Sequence, residues 1–283
     1  MNLKTCAACK TVKYCSLACQ KRHRPSHKKE CRARAAQLFD EGLFEQPPPA
    51  EDCAICFLQL PYDGGEINSQ YQSCCGKSLC HGCMHGVRFG NDLCPFCRKP
   101  TTNTHDDENQ RCTKRMKAGD AEAFMTMGMR YLLGQFGLAQ DMDRGFELLL
   151  RAAELGSAKA HYNLAVFYTN GQHVPRNTKK AVFHNQQAAM GGHMKARHNL
   201  GFDEMELCKW DRAIKHWMIA AASGDKLSLS KMQFVFTQGH ATKAQYESAL
   251  RAYQSYQEET QSDQRTRSLD FLQAHNLMDD EHP

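Results

Sequence analysis

The sequence predicts a mainly α-helical protein in which two small cysteine-rich modules precede an α-solenoid of helix-turn-helix repeats. Fourteen of its fifteen cysteines fall within residues 1–112 of the 283-residue chain, and the fifteenth is Cys208. From residue 119 onward the apolar pattern recurs at a period near 36. Between these regimes, EQPPPAED at 45–52 holds three consecutive prolines and TTNTHDDENQ at 101–110 is polar throughout, so both interrupt periodic structure. The expected boundaries are a first module at 1–35, a proline-containing linker at 36–52, a second module at 53–100, a polar linker at 101–118, repeats at 119–258 and a tail at 259–283. A hydrophobic share of 41% with 24% charged residues belongs to a globular chain rather than a disordered or fibrous one.

No apolar stretch approaches the ~18 residues that cross a bilayer, and MNLKTCAACK lacks the apolar core of a signal peptide. The expectation is a chain with no membrane segment, in the cytoplasm or nucleus. In such a reducing compartment, C-x2-C pairs read as metal ligands rather than disulfides. Charge is uneven. Residues 1–35 hold ten Lys or Arg against the single acid Glu30, so the formal +5 of the whole chain belongs to this first module.

The first module presents Cys6-x2-Cys9, Cys15-x3-Cys19 and His27-x3-Cys31. Zn²⁺ takes four thiolate or imidazole ligands tetrahedrally, and a C-x2-C turn delivers two sulfurs to one ion. A segment this short and polar cannot offset its chain entropy by apolar burial, so metal binding supplies its folding free energy. The run YCSLACQ…HKKEC resembles the MYND zinc finger, whose eight ligands hold two zinc ions in interleaved order. The resemblance implies one zinc on Cys6, Cys9, His27 and Cys31, with Cys15 and Cys19 assigned to the other. The first C-x2-C pair of the family would lie upstream of Met1, so this module is expected to be N-terminally incomplete. Arg24 stands where the family commonly places Trp, at its peptide-binding groove, and His23 reads as a solvated helix residue.

The second module carries Cys53-x2-Cys56, Cys74-Cys75, Cys80-x2-Cys83 and Cys94-x2-Cys97, eight thiols and enough for two complete sites. It resembles a RING finger in an all-cysteine form. The family's cross-brace implies one zinc on Cys53, Cys56, Cys80 and Cys83 and another on Cys74, Cys75, Cys94 and Cys97. Many members read C-G-H where Lys77 stands here, and His81 is kept as an alternative ligand. The resemblance further implies that Ile55, Pro95 and Arg98 contact a ubiquitin-conjugating enzyme, Arg98 fixing the charged carrier in a reactive geometry. Such catalysis is positioning and needs no nucleophile.

In the third region AAELG at 152–156, AAMGG at 188–192 and AASGD at 221–225 end alike, and Met127-Gly128, Leu164-Ala165 and Leu200-Gly201 recur at nearly the same spacing. Two helices per unit fit this pattern. Small residues allow close helix packing, and Gly156, Gly192 and Gly224 end the second helices. A unit of this size cannot bury its apolar face alone, so the units must stack. A fourth unit is expected over 232–257, turning at Gly239. AxxNLAxxYxxG at 160–171 followed by KKAxxxxxxAAxxG at 179–192 resembles the Sel1-like repeat, a relative of the tetratricopeptide repeat. The resemblance implies a helical adaptor that binds a protein substrate or complex. The third unit departs from it, lacking the Tyr-x-x-Gly turn between Gly201 and Trp210.

Two functions remain in view. One is a zinc-dependent ubiquitin ligase whose repeats recruit substrate; the other is a non-catalytic adaptor of the same architecture. Nucleic-acid binding through residues 4–34 rests on charge alone, with no stacking platform or base-reading helix, and is disfavoured. Cys112 and Cys208 read as free thiols, and His161, His184, His198 and His216 as packing or surface residues. No phosphate loop, paired catalytic carboxylates or Ser/His/Asp arrangement is present.

Overall fold

Short chelating segments, rather than long apolar ones, shape the first hundred residues. The computed structural model describes residues 3–49, 51–60, 69–88, 93–100 and 104–274. The chain divides into two compact units, Met1–Gln46 and Pro47–Pro283.

In the first unit β1 (Lys4–Thr5) and β2 (Lys13–Tyr14) form an antiparallel pair that closes a loop over Cys6 and Cys9. Ser16 then caps α1 (Leu17–Leu43), its hydroxyl accepting from the Cys19 N–H at 3.1 Å. The linker expected to begin at 36 is therefore helical to Leu43; the chain leaves the helix only as it approaches the prolines. His27 and Cys31, four residues apart, share one face of α1.

The second unit opens with the central cysteine module. Here β3 (Ser69–Gln72) pairs antiparallel with β4 (Lys77–Cys80), and α2 (His81–Arg88) follows directly. Its small core consists of the cysteines themselves with Leu79, against which Ala54, Ile55, Leu60, Met84 and Phe96 pack.

The repeats follow as helix pairs: α4 (Ala121–Leu133) with α5 (Met142–Glu154), α6 (Ala158–Asn170) with α7 (Thr178–Met190), α8 (Met194–Glu206) with α9 (Trp210–Ala222), and α10 (Lys226–Thr237) with α11 (Lys243–Thr260). Side-chain caps fix their starts, including Asp120, Asp141, Ser157, Asn177 and Asp225, each accepting backbone N–H bonds. Gly156, Gly192 and Gly224, all at positive φ, release the chain just after α5, α7 and α9. Close approach explains two further small residues. A Cβ on Gly128 would stand 3.1 Å from the Gly145 carbonyl, and one on Gly201 would lie 2.3 Å from Nε1 of the buried Trp217. The third unit is irregular where the sequence departs. α8 and α9 are joined by only Leu207, Cys208 and Lys209, with Cys208 forced to φ 57° and no side-chain cap on α9.

Two segments differ from expectation. The polar stretch 101–118 is no linker beyond its start, since α3 (His105–Lys117) is helical and packs on α4. Asp106, Asp107 and Glu108 in its first turn and Lys114, Arg115 and Lys117 in its last complement the helix dipole. The supposed tail from 259 completes α11 and then forms α12 (Asp263–Ala274), which packs on α2 of the cysteine module. No helix among the described residues is long and apolar enough to cross a membrane.

Candidate metal centres

Among the described residues three groups of four donors converge, each with its ligating atoms within 4.8 Å of one another: Cys6, Cys9, His27 and Cys31; Cys53, Cys56, Cys80 and Cys83; and Cys74, Cys75, Cys94 and Cys97. The last two interleave along the chain, so that segments far apart in sequence meet at each centre. Cys15 and Cys19 join none of these groups; Cys15 is exposed and Cys19 half-buried. Lys77 is exposed on β4, and His81 is engaged elsewhere, its Nδ1 hydrogen-bonded to the Ser268 hydroxyl of α12.

One local design makes three of the four C-x2-C turns, the exception being Cys80-x2-Cys83, which passes from the end of β4 into α2. The N–H after the second cysteine donates to the carbonyl of the first: Lys10 to Cys6 at 2.9 Å, Phe57 to Cys53 at 2.9 Å and Arg98 to Cys94 at 3.0 Å. Lys10, Phe57 and Arg98 accordingly take φ of 54°, 56° and 58°. A second bond returns the chain, from Cys6 N to Val12 O, Cys53 N to Leu58 O and Cys94 N to Lys99 O. The corner at the adjacent Cys74 and Cys75 bends through Gly76 at φ 74°, whose N–H reaches Gln72 O at 2.7 Å. This bend lets neighbouring residues, which in extended chain point apart, serve one centre.

The spacing fits zinc. Tetrahedral Zn–S bonds of ~2.3 Å place sulfurs about 3.8 Å apart. Cys6 and Cys31 lie 3.7 Å apart, Cys56 and Cys80 3.8 Å, and Cys75 and Cys94 3.8 Å. His27 presents Nε2 at 3.2 Å from Cys9 Sγ. All these cysteines are free thiols, and the separations are far beyond the ~2.05 Å of a disulfide.

The electrostatics of the thiols suits a bound dication. The Thr11 hydroxyl donates to Cys9 Sγ at 3.0 Å and, with the Thr11 backbone, brings that thiol down to about 5, whereas burial pushes Cys31 up to about 11. Cys53 is buried, yet backbone N–H groups of Cys80, Cys56 and Ile55 bring it down to about 6, while burial and neighbouring thiols push Cys83 up. At Cys94 burial is again outweighed by N–H groups of Cys97 and Phe96, which lower it to about 7, and burial raises Cys74. Each set thus mixes thiols that are lowered, Cys6 and Cys9, Cys53, and Cys94, with thiols that burial raises, Cys31, Cys80 and Cys83, and Cys74 and Cys75; a dication lets all of them carry charge together.

Ile55 and Pro95 are half-buried, and Arg98 is exposed at its left-handed position. Cys112 is a buried thiol pushed up to about 11 by burial. Spacing could not have disclosed Arg265. From α12 it reaches the carbonyls of Gln59 and Leu58 at 2.9 and 3.2 Å and Cys56 Sγ at 3.7 Å.

Residues 1–31 match the MYND finger family, and residues 126–157 and 158–193 match the Sel1 repeat. Among solved structures, a Sel1 repeat protein from Oxalobacter formigenes shares 22% identity over 54% of this chain and 64% of that one, at a TM-score of 0.47. The protective antigen c5321 of uropathogenic Escherichia coli, described as displaying an SLR fold, shares 25% over 59% of this chain and 36% of its own, at 0.46. In both cases the match spans less than two thirds of the neighbour's length. No curated protein matches. The chain is a zinc-binding protein that joins zinc-finger modules to Sel1-repeat helices. Its repeats are protein-interaction modules.

Proposed function

We propose that this protein is a zinc-dependent ubiquitin ligase of the cytoplasm or nucleus, in which the central cysteine module acts as a RING and the repeats recruit a protein substrate. Each four-donor group holds one zinc ion in this reading. The supporting observation is the interleaved order of the second and third groups, in which Cys53 and Cys56 meet Cys80 and Cys83 while Cys74 and Cys75 meet Cys94 and Cys97. Such cross-bracing fixes the two loops bearing Ile55 and Pro95 without an apolar core of ordinary size. A conjugating enzyme docks on these side chains, and Arg98 hydrogen-bonds the charged carrier, so the contribution to rate is orientation of a thioester made elsewhere.

Autoubiquitination by the purified chain with a broad panel of conjugating enzymes tests this. Wild type should form ubiquitin conjugates with at least one enzyme. Ile55→Ala should lose most of the activity by weakening docking, and Arg98→Ala should slow transfer while the conjugating enzyme still binds. Zinc-loaded protein inactive with every enzyme would leave an adaptor that scaffolds protein complexes.

A further inference from the structure

The central module is gripped by its own chain 180 residues later. α12 lies against α2 where two glycines share a face. A Cβ on Gly82 would stand 2.9 Å from the backbone nitrogen of Arg265, and one on Gly86 would meet the Gln264 amide at 2.6 Å. The Ser268 hydroxyl meets His81, and the Phe271 ring lies 4.8 Å from that of His85. Between these contacts Arg265 is inserted, only 7% exposed. Its guanidinium gathers the Thr260 carbonyl at the end of α11 at 2.7 Å, the Gln59 and Leu58 carbonyls of the Cys53–Cys56 turn, and Cys56 Sγ.

A buried guanidinium is costly unless something negative faces it, and among the described residues no carboxylate shares its hydrogen bonds. Zinc held by four thiolates retains net negative charge, and hydrogen-bond donors outside the ligands commonly neutralise and orient such a centre. We propose that Arg265 is a positioning residue for the Cys53/Cys56/Cys80/Cys83 centre, supplying its counter-charge from α12, so that metal retention there and docking of the C-terminal helix depend on each other. The inference rests on the zinc assignment made above. By linkage, whatever detaches α12 weakens this metal site by the same factor that losing the metal weakens docking.

Zinc release from the purified full-length chain into a chromogenic chelator tests the coupling. Wild type should yield three ions. Arg265→Met, which keeps length but not charge, should release one of them at least tenfold faster, and Arg265→Lys should restore much of the delay. Gly82→Ala, which pushes α12 away with Arg265 intact, should accelerate the same ion. Adding Cys53→Ser to Arg265→Met should abolish the fast phase. In cobalt-loaded protein, Arg265→Met should shift the sulfur-to-metal charge-transfer absorption. Release of all three ions at wild-type rates from Arg265→Met overturns the proposal, as does a Met variant slower than the Lys variant, the mark of a space-filling role. Wild type whose four cysteines hold no metal overturns the zinc assignment and the proposal together.

Discussion

At the scale of single residues, the molecule is built where side chains are too small or too closely placed to vary. Gly201 is the sharpest case, since any Cβ there would run into Trp217, which is fully buried with its Nε1–H donated to the His198 carbonyl at 3.2 Å. Gly201→Ala should lower stability by about 1–3 kcal/mol, the usual effect of overpacking a tight core, and urea unfolding measures it. Buried histidines set the pH response of the repeats. Burial lowers His184 to about 4 and both His193 and His216 to about 3. In the unfolded chain these imidazoles take up protons near 6.5. The folded values lie below the unfolded ones, so the stability is fully present above pH ~6.5 and is lost as pH falls toward 4. Each group steepens the loss by up to about 1.4 kcal/mol per pH unit. His184→Gln should therefore show a shallower fall of unfolding free energy between pH 6.5 and 4.5 than wild type, a difference from which metal loss common to both proteins cancels. Residues of this kind were half legible. The recurring Gly and Ala positions stand out in the sequence, but nothing in Lys10, Phe57 or Arg98 announces a left-handed backbone, because hydrogen bonding around the chelating turns imposes it.

At the scale of elements, polar joints decide what holds to what. Asp120 caps α4 by accepting from Glu122 and Ala123 N–H, pairs with Arg115 of α3 at 2.7 Å, and accepts the Tyr71 hydroxyl of β3 at 2.7 Å. One carboxylate thus ties the cysteine module to the first repeat. Asp120→Ala should cost about 1–3 kcal/mol through the lost cap and the buried donors left behind, and Tyr71→Phe about 1 kcal/mol, both read as shifts in the denaturation midpoint. Helices held in this way escape a search for apolar periodicity. α3 buries Cys112 and is held by Arg130 of α4, which reaches Glu108, Asn109 and Cys112, so its sequence reads as a polar spacer. α12 docks through Arg265, Gln264 and Ser268 onto glycines, with Phe271 against the His85 ring. Apolar helices with small residues at fixed spacing, α4 to α9 above all, follow from the sequence because burial of one face dictates both pattern and partner.

At the scale of the whole molecule, two kinds of stabilisation are joined in one chain. Metal replaces a core in the cysteine-rich modules, whereas the repeats bury Leu149, Leu164, Ile214, Trp217 and Met232 in ordinary apolar clusters. Chelation should accordingly abolish the tertiary structure of the cysteine-rich modules while most of the helical circular dichroism of α4 to α11 survives. A cooperative loss of all helix on adding chelator would show that the repeats depend on the modules far more than these clusters imply. Cysteine spacing made the chelating centres legible because ligand geometry leaves few alternatives. The docking of α12 on the central module was not legible, since it joins residues about two hundred positions apart, largely through the polar contacts of Arg265.

Native mass spectrometry of the freshly purified full chain tests the central claim most directly. Three zinc ions per chain are expected, falling to two in Cys94→Ser and, separately, in His27→Ala. A folded chain that carries no zinc, or one whose mass is reduced by oxidised cysteine pairs within these groups, would contradict the account.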